Sequence, residues 1–281
     1  MACNHNCSSC SKKKDGSCGE AKDFLAKSNP GSNVKKVIAV MSGKGGVGKS
    51  LVTELLAVAA MRKGLKTAVL DADITGPSIP MAFGVTERAV SDGTNIMPCR
   101  SKCGLGVMSL NLVVEDPRDP VIWRGPVLAG VVTQFWSDVA WGDVDIMFVD
   151  MPPGTGDVPL TVFQSLPVDG IVVVTSPQDV VGMIVEKALR MAKMMSVPVL
   201  GIVENMAVFK CPDCGKEHRI FGEGRTAALA AENGIANVVS LPINPGFAKA
   251  VDAGEIESVE ETSLDPILEA CVSAAGKTQK T

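Results

Sequence analysis

Tyrosine is absent from this 281-residue chain and aromatic residues of every kind make up only 4% of it, so its core must be built from Val, Ile, Leu, Ala and Met. Positive charge is not in excess either: the formal net charge is −4 and the pI about 5.3. That excludes a global basic field of the kind that draws in nucleic acid. The run Lys12–Lys14 is the one obvious basic cluster, and on a polar tail it reads as solvated. No apolar stretch approaches the ~18 residues needed to cross a bilayer. The opening stretch MACNHNCSSCSKKK has no apolar segment of the kind a secretion signal needs. The expectation is a cytoplasmic protein with no nucleic-acid or membrane partner.

What the chain does have is cysteine, in a pattern. Of nine cysteines, eight fall into local groups, Cys3/Cys7/Cys10/Cys18, Cys99/Cys103 and Cys211/Cys214, with Cys271 alone. Close-set thiols without a secretion signal read as metal ligands in a reducing compartment rather than as a disulfide framework.

Residues 1–33 are polar and end in Asn29-Pro30-Gly31-Ser32, which reads as a Cys-rich tail and linker with a candidate metal site. Residues 34–275 read as a single domain with a C-x-x-C insertion near 209–220, and residues 276–281 as a polar tail. Short apolar runs recur at Val37–Met41, Thr67–Leu70, Ile146–Val149, Gly170–Thr175, Val199–Val203 and Val238–Leu241. Helical stretches are expected at Lys49–Lys63 and Val180–Met195, and an extra hairpin within Asn95–Val114. Apolar strands alternating with helices predict an α/β fold, a mainly parallel, doubly wound sheet with helices on both faces.

The first strand runs into Gly43-Lys44-Gly45-Gly46-Val47-Gly48-Lys49-Ser50, which fits the P-loop pattern G-x-x-x-x-G-K-[ST] between a strand and a helix. Glycines let backbone N–H groups turn inward around phosphate oxygens, and the following helix adds its positive end. Lys49 is expected on the β- and γ-phosphates of ATP and Ser50 on Mg²⁺. Asp71-Ala72-Asp73 and Asp150-Met151-Pro152-Pro153-Gly154 each close an apolar strand, where ligands of open α/β sheets bind. Asp150 has the Walker B arrangement.

Lys44, a second lysine in the loop, makes it resemble the deviant Walker A motif of the MinD-like, or SIMIBI, ATPases. The resemblance implies that Lys44 crosses to the partner's nucleotide in an ATP-sandwiched homodimer. It also implies that Asp73 orients the attacking water, that Gly154–Asp157 forms the second switch loop, and that Asn205 in Val203-Glu204-Asn205-Met206 contacts the adenine edge. Within that group the chain is similar to the Mrp/ApbC iron–sulfur cluster carriers. The matching stretches are GKGGVGKS, DADITGPSIP, FVDMPPGTGD, the ENM triplet and Cys211-Pro212-Asp213-Cys214. There are departures. Leu51 stands where many such loops have another Ser or Thr, and the N-terminal spacing C-x3-C-x2-C-x7-C has a shorter first gap than the four-cysteine motif of eukaryotic relatives.

One C-x-x-C pair supplies two thiolates, half of a four-coordinate site, and a C2 dimer supplies the other half. The resemblance implies a 4Fe–4S cluster shared there and passed on, with apo iron–sulfur proteins and a cluster assembly scaffold as partners. Structural zinc is equally good chemistry for the same ligands. Cys3, Cys7, Cys10 and Cys18, with His5 as a substitute, offer a second metal site within one chain. Cys99 and Cys103 read as packing or incidental, and Cys271 as core. Three functions therefore compete: an ATP-hydrolysing cluster carrier, a MinD-like positional switch, and a zinc-stabilised assembly ATPase. For the switch, the segment Leu264–Ala275 is a candidate amphipathic helix, but Asp265 and Glu269 make it acidic where a membrane-surface helix is basic.

Overall fold

The computed structural model describes residues 25–276 apart from residues 75, 117–124 and 179, and omits the side chains of residues 125 and 180–184. Cys3, Cys7, Cys10 and Cys18 lie outside the described residues, so the N-terminal metal site has no structural description.

In chain order the elements are β1 (Ser32–Val34), β2 (Val37–Ser42), α1 (Lys49–Arg62), β3 (Thr67–Asp71), α2 (Ile79–Ala82), β4 (Cys99–Arg100), β5 (Gly106–Met108) and α3 (Gly125–Ser137). There follow β6 (Gly142–Val144), β7 (Ile146–Asp150), α4 (Asp157–Ser165), β8 (Gly170–Thr175), α5 (Val180–Met194) and β9 (Val199–Glu204). The chain ends with β10 (Phe209–Lys210), β11 (Glu217–His218), α6 (Thr226–Glu232), β12 (Val238–Ser240), α7 (Pro245–Asp252) and α8 (Asp265–Ser273).

Eight strands form one sheet in the order β12-β9-β8-β2-β7-β3-β5-β4. All its pairings are parallel except that of β4 with β5, the hairpin expected within Asn95–Val114. Because side chains alternate along a strand, β2 feeds two cores. Val37, Ala39 and Met41 enter a cluster with Val132, Phe135, Trp136 and Phe163. Ile38 and Val40 enter another with Leu55, Leu56, Ile267 and Leu268. Covering both faces is what lets the strands be apolar without alternation.

One expectation needs correction. Residues 25–33 are not a bare linker leading up to the domain. Ser32–Val34 pairs in parallel with Gly142–Val144, Asn29 is buried, and Ala26 donates its N–H to the Ser165 carbonyl at 2.8 Å. These are backbone and polar contacts, which leave no apolar pattern in the sequence. The C-terminal segment is a helix with one apolar face, and that face is turned inward: Ile267, Leu268 and Cys271 of α8 are buried in the core, as expected of Cys271. Among the described residues, no helix is long and apolar enough to cross a membrane.

Candidate functional site

Strand β2 lies between β7 and β8, so the chain departs to opposite sides of it, and the crevice at its carboxyl end is the ligand position of a doubly wound sheet. The glycine-rich loop fills that position. Gly46 and Gly48 have φ of 79° and 82°, left-handed values that side-chain-bearing residues avoid. A Cβ on Gly48 would also stand 2.1 Å from Asn205 Nδ2. Helix α1 starts with no side-chain cap on its first N–H groups, which leaves them for an anion. The recess over the loop, about 220 Å³, is lined by Gly45, Gly46, Gly48, Lys49, Ser50 and Asp73 among others.

Beneath the recess the charged groups converge. Lys49 Nζ lies 2.7 Å from Asp150 Oδ1 and 3.6 Å from Asp73 Oδ2. Asp150, fully buried, accepts hydrogen bonds from Ser50 Oγ at 2.7 Å and Thr53 Oγ1 at 2.8 Å. A hydroxyl and a carboxylate oxygen so close together are hard oxygen donors suited to Mg²⁺. Asp73 takes its place through the turn after β3, where its N–H donates to Asp71 Oδ1. Asn205, at the end of β9, donates Nδ2 to the Val47 carbonyl at 3.0 Å. Lys44 Nζ donates to Gln178 Oε1 of its own chain. The structure thus gathers Lys49, Ser50, Asp73, Asp150 and Asn205 around the loop and holds Lys44 at its rim.

The sequence reading missed several members. Thr53 sits one turn beyond Ser50 on the sheet-facing side of α1, a helical spacing that is legible once Asp150 is placed. Glu54 is buried, and its Oε2 has no hydrogen-bond partner. Burial, then the charges of Asp150 and Asp71, holds the Glu54 carboxyl well above the usual range, partly offset by Lys49. Burial and Asp150 likewise push Asp71 up to about 8, against Lys49 and a hydrogen bond from Ser109. Gln178 gave no signal, because its partner lies 134 residues away.

The cysteine pair has a different setting. Cys211–Gly215 forms the turn of the β10–β11 hairpin, with Cys211 N–H donating to the Lys216 carbonyl and Gly215 N–H to that of Cys211, each at 2.9 Å. Backbone N–H groups of Cys214 and Asp213, together with the Cys214 thiol, hold the Cys211 thiol below its usual pKa. That favours the thiolate, the form that ligates metal. Cys214 is exposed and Cys211 half-buried. A cavity of about 590 Å³, lined by Phe209, Cys211, Pro212, Pro242, Ile243 and Pro245 among others, adjoins the pair.

The other cysteines among the described residues are dispersed. Cys99 is buried with its Sγ donating to the Glu87 carbonyl, Cys103 is exposed near Glu257, and burial pushes Cys271 up to about 12. No group of three or more His, Cys, Asp or Glu side chains able to hold a metal occurs among the described residues.

Comparison with known proteins places this geometry. The chain is 43% identical over 267 residues to an iron–sulfur cluster carrier protein of Clostridium perfringens, covering 90% of this chain and 93% of that one. It is 42% identical over 259 residues to one of Methanocaldococcus jannaschii, covering 90% and 89%. Among solved structures, a nucleotide-binding protein of Archaeoglobus fulgidus in complex with ADP superimposes with a TM-score of 0.74 and 41% identity, over 83% of this chain and 91% of that one. The cell-division ATPase MinD of Pyrococcus furiosus shares the fold, at 19% identity and a TM-score of 0.60 over 84% of this chain and 97% of that one. Residues 33–277 match the ParA family model described as NUBPL iron-transfer P-loop NTPase, and the chain belongs to that family.

Proposed function

We propose that this protein hydrolyses ATP and uses the nucleotide state to control a 4Fe–4S cluster, its cargo, held between the Cys211/Cys214 pairs of two protomers and delivered to apo-proteins. The observation that carries the reading is the presence on one chain of two unlike sites, a Lys49–Ser50–Asp150 phosphate and Mg²⁺ site and a solvent-reachable Cys211/Cys214 thiol pair in one turn that amounts to half a tetrahedral site.

On this reading the backbone N–H groups of Gly45–Ser50 cradle the phosphates, and Lys49 turns from Asp150 toward the β- and γ-oxygens. Ser50 Oγ and Asp150 hold Mg²⁺, and Asp73 orients the attacking water. Lys44, released from Gln178, reaches the partner's nucleotide, while Asn205 meets the adenine. Hydrolysis is slow and acts as a switch on the dimer interface rather than as turnover for its own sake. Two thiolates per chain bind a cluster completely only while two chains are apposed, so loosening the dimer frees the cargo.

The test is anaerobic purification with iron, labile sulfide and zinc quantified per chain. Iron and sulfide in equal amounts are expected, lost in the Cys211→Ala/Cys214→Ala double variant while ATP still binds. Stoichiometric zinc in their place would establish the zinc-stabilised reading, and undiminished iron in the double variant would move the site elsewhere.

A further inference from the structure

The segment that carries the cysteines leaves the domain after β9 and returns at α6, and one side chain joins its two ends. Glu204, the last residue of β9, is buried, and its Oε1 accepts a hydrogen bond from Thr226 Oγ1, the first residue of α6, 22 positions later. The returning backbone is pressed against the same carboxylate. A Cβ on Gly224 would stand 1.9 Å from Glu204 Oε1 and 2.6 Å from its Cδ. Within residues 210–223 the turn bonds of Cys211 N–H to Lys216 O and of Gly215 N–H to Cys211 O and the Arg219–Glu223 ion pair are local, and the hairpin ladder adds only Phe209 with His218, so Glu204 and the Gly224–Thr226 return are where the segment rejoins the sheet.

The neighbour of Glu204 faces the other site. Asn205 donates its side chain to the Val47 carbonyl in the phosphate loop and its backbone N–H to the Thr175 carbonyl at 2.8 Å. Its Oδ1 accepts from Met206 N–H, and Met206 holds a left-handed φ of 58°. The outgoing limb is then stitched to the strand beyond β12, Ala207 N–H to Leu241 O at 2.9 Å and Ile243 N–H to Val208 O at 2.8 Å. Adjacent residues at one strand end thus grip the phosphate loop with one side chain and the root of the cysteine segment with the other. Covalent neighbours in a buried, fully bonded turn cannot move independently by much.

We propose that Glu204 is a positioning residue that couples the nucleotide site to the cysteine hairpin: rearrangement of the Val47–Asn205 contact on ATP binding passes through the strand end to Gly224–Thr226 and alters how Cys211 and Cys214 are presented. The inference rests on the functional reading above for what the two sites bind, but its test needs no cluster.

The rate at which iodoacetamide alkylates Cys211 and Cys214 is followed by peptide mass spectrometry on reduced, metal-free full-length protein, with and without ATP and Mg²⁺. In the wild type, ATP changes the rate by about fivefold or more, the low end of ordinary coupling between sites. Glu204→Ala, which removes the acceptor, and Gly224→Ala, which drives the carboxylate away, bring the ratio to near one while ATP affinity is retained. Glu204→Gln keeps an acceptor oxygen for Thr226 and keeps the ratio. Thr226→Val deletes a single hydroxyl and serves if the Glu204 variants fail to fold. An unchanged ratio in the Ala and Val variants, with or without a lower melting temperature, overturns the proposal, as does a wild-type ratio of one. Wild-type protein that comes through anaerobic purification without iron or sulfide, yet still shows the nucleotide effect, would defeat the carrier reading alone.

Discussion

The phosphate loop and the cysteine hairpin are built on opposite principles. The loop is the connection between the central strand of an eight-stranded sheet and a helix buried along most of its length, and its polar groups are cross-linked below by Asp150. The hairpin consists of two two-residue strands joined by a mostly exposed turn. Groups that must stabilise a fleeting charge gain from rigidity, whereas ligands that hand on a cargo, the role proposed for Cys211 and Cys214, gain from accessibility. On the proposed function, rigid geometry serves the reaction and a loose, half-complete ligand set serves release.

The largest effect expected from breaking this contrast is on hydrolysis. Lys49→Ala should lower the rate of phosphate release by ~10²–10³-fold, the usual cost of removing a preorganised donor, and leave the metal content of the hairpin unchanged. Next, alanine at two left-handed glycines compares the two regions directly. Gly48→Ala adds backbone strain of ~1–2 kcal/mol to a collision with Asn205, and should lower the melting temperature and abolish nucleotide binding. Gly215→Ala, at a φ of 70° with only Lys210 Cε as far as 4.0 Å away, should strain the turn locally and barely move the global transition.

A third prediction concerns pH. Glu54 and Asp71 hold protons in the folded chain well above the pH at which they ionise when unfolded. Unfolding between about pH 4 and about pH 8 therefore releases protons, and stability of the nucleotide-free protein should fall as pH rises through that window. Glu54→Gln should flatten the dependence and raise stability by ~1–3 kcal/mol at pH 8, with little difference at pH 4. Denaturant titrations at several pH values give both numbers. The smallest effect belongs to the hairpin: Cys211→Ser should change the stability of metal-free protein by less than ~0.5 kcal/mol, as ordinary surface substitutions do.

Sequence legibility follows the same division. The strands, the loop and the C-x-x-C turn are local patterns, and strand ends fell within a residue of those expected because Asp71, Asp150 and Glu204 terminate apolar runs. The contacts that turn these pieces into a machine are non-local. Glu54 looks like any polar helix residue until the sheet is seen to lie beneath it. Gln178 meets Lys44, and Thr226 meets Glu204, across stretches with no shared periodicity. Ser32–Val34 joins Gly142–Val144 through backbone groups, which composition does not reveal.

The scarcity of aromatic residues has an optical consequence. With no tyrosine to transfer energy, ultraviolet emission comes from tryptophan, and Trp136 and Trp141 are both buried on the α3–β6 side of the sheet. Trp141 donates its indole N–H to Phe135 O within that layer, whereas Trp136 donates to Ala26 O, in the segment that precedes β1. Solvent reaching Trp136 when that segment peels away should redden its emission while Trp141 stays blue. With Trp123 replaced by Phe, the remaining pair would report on the attachment of the segment around Ala26 to the domain.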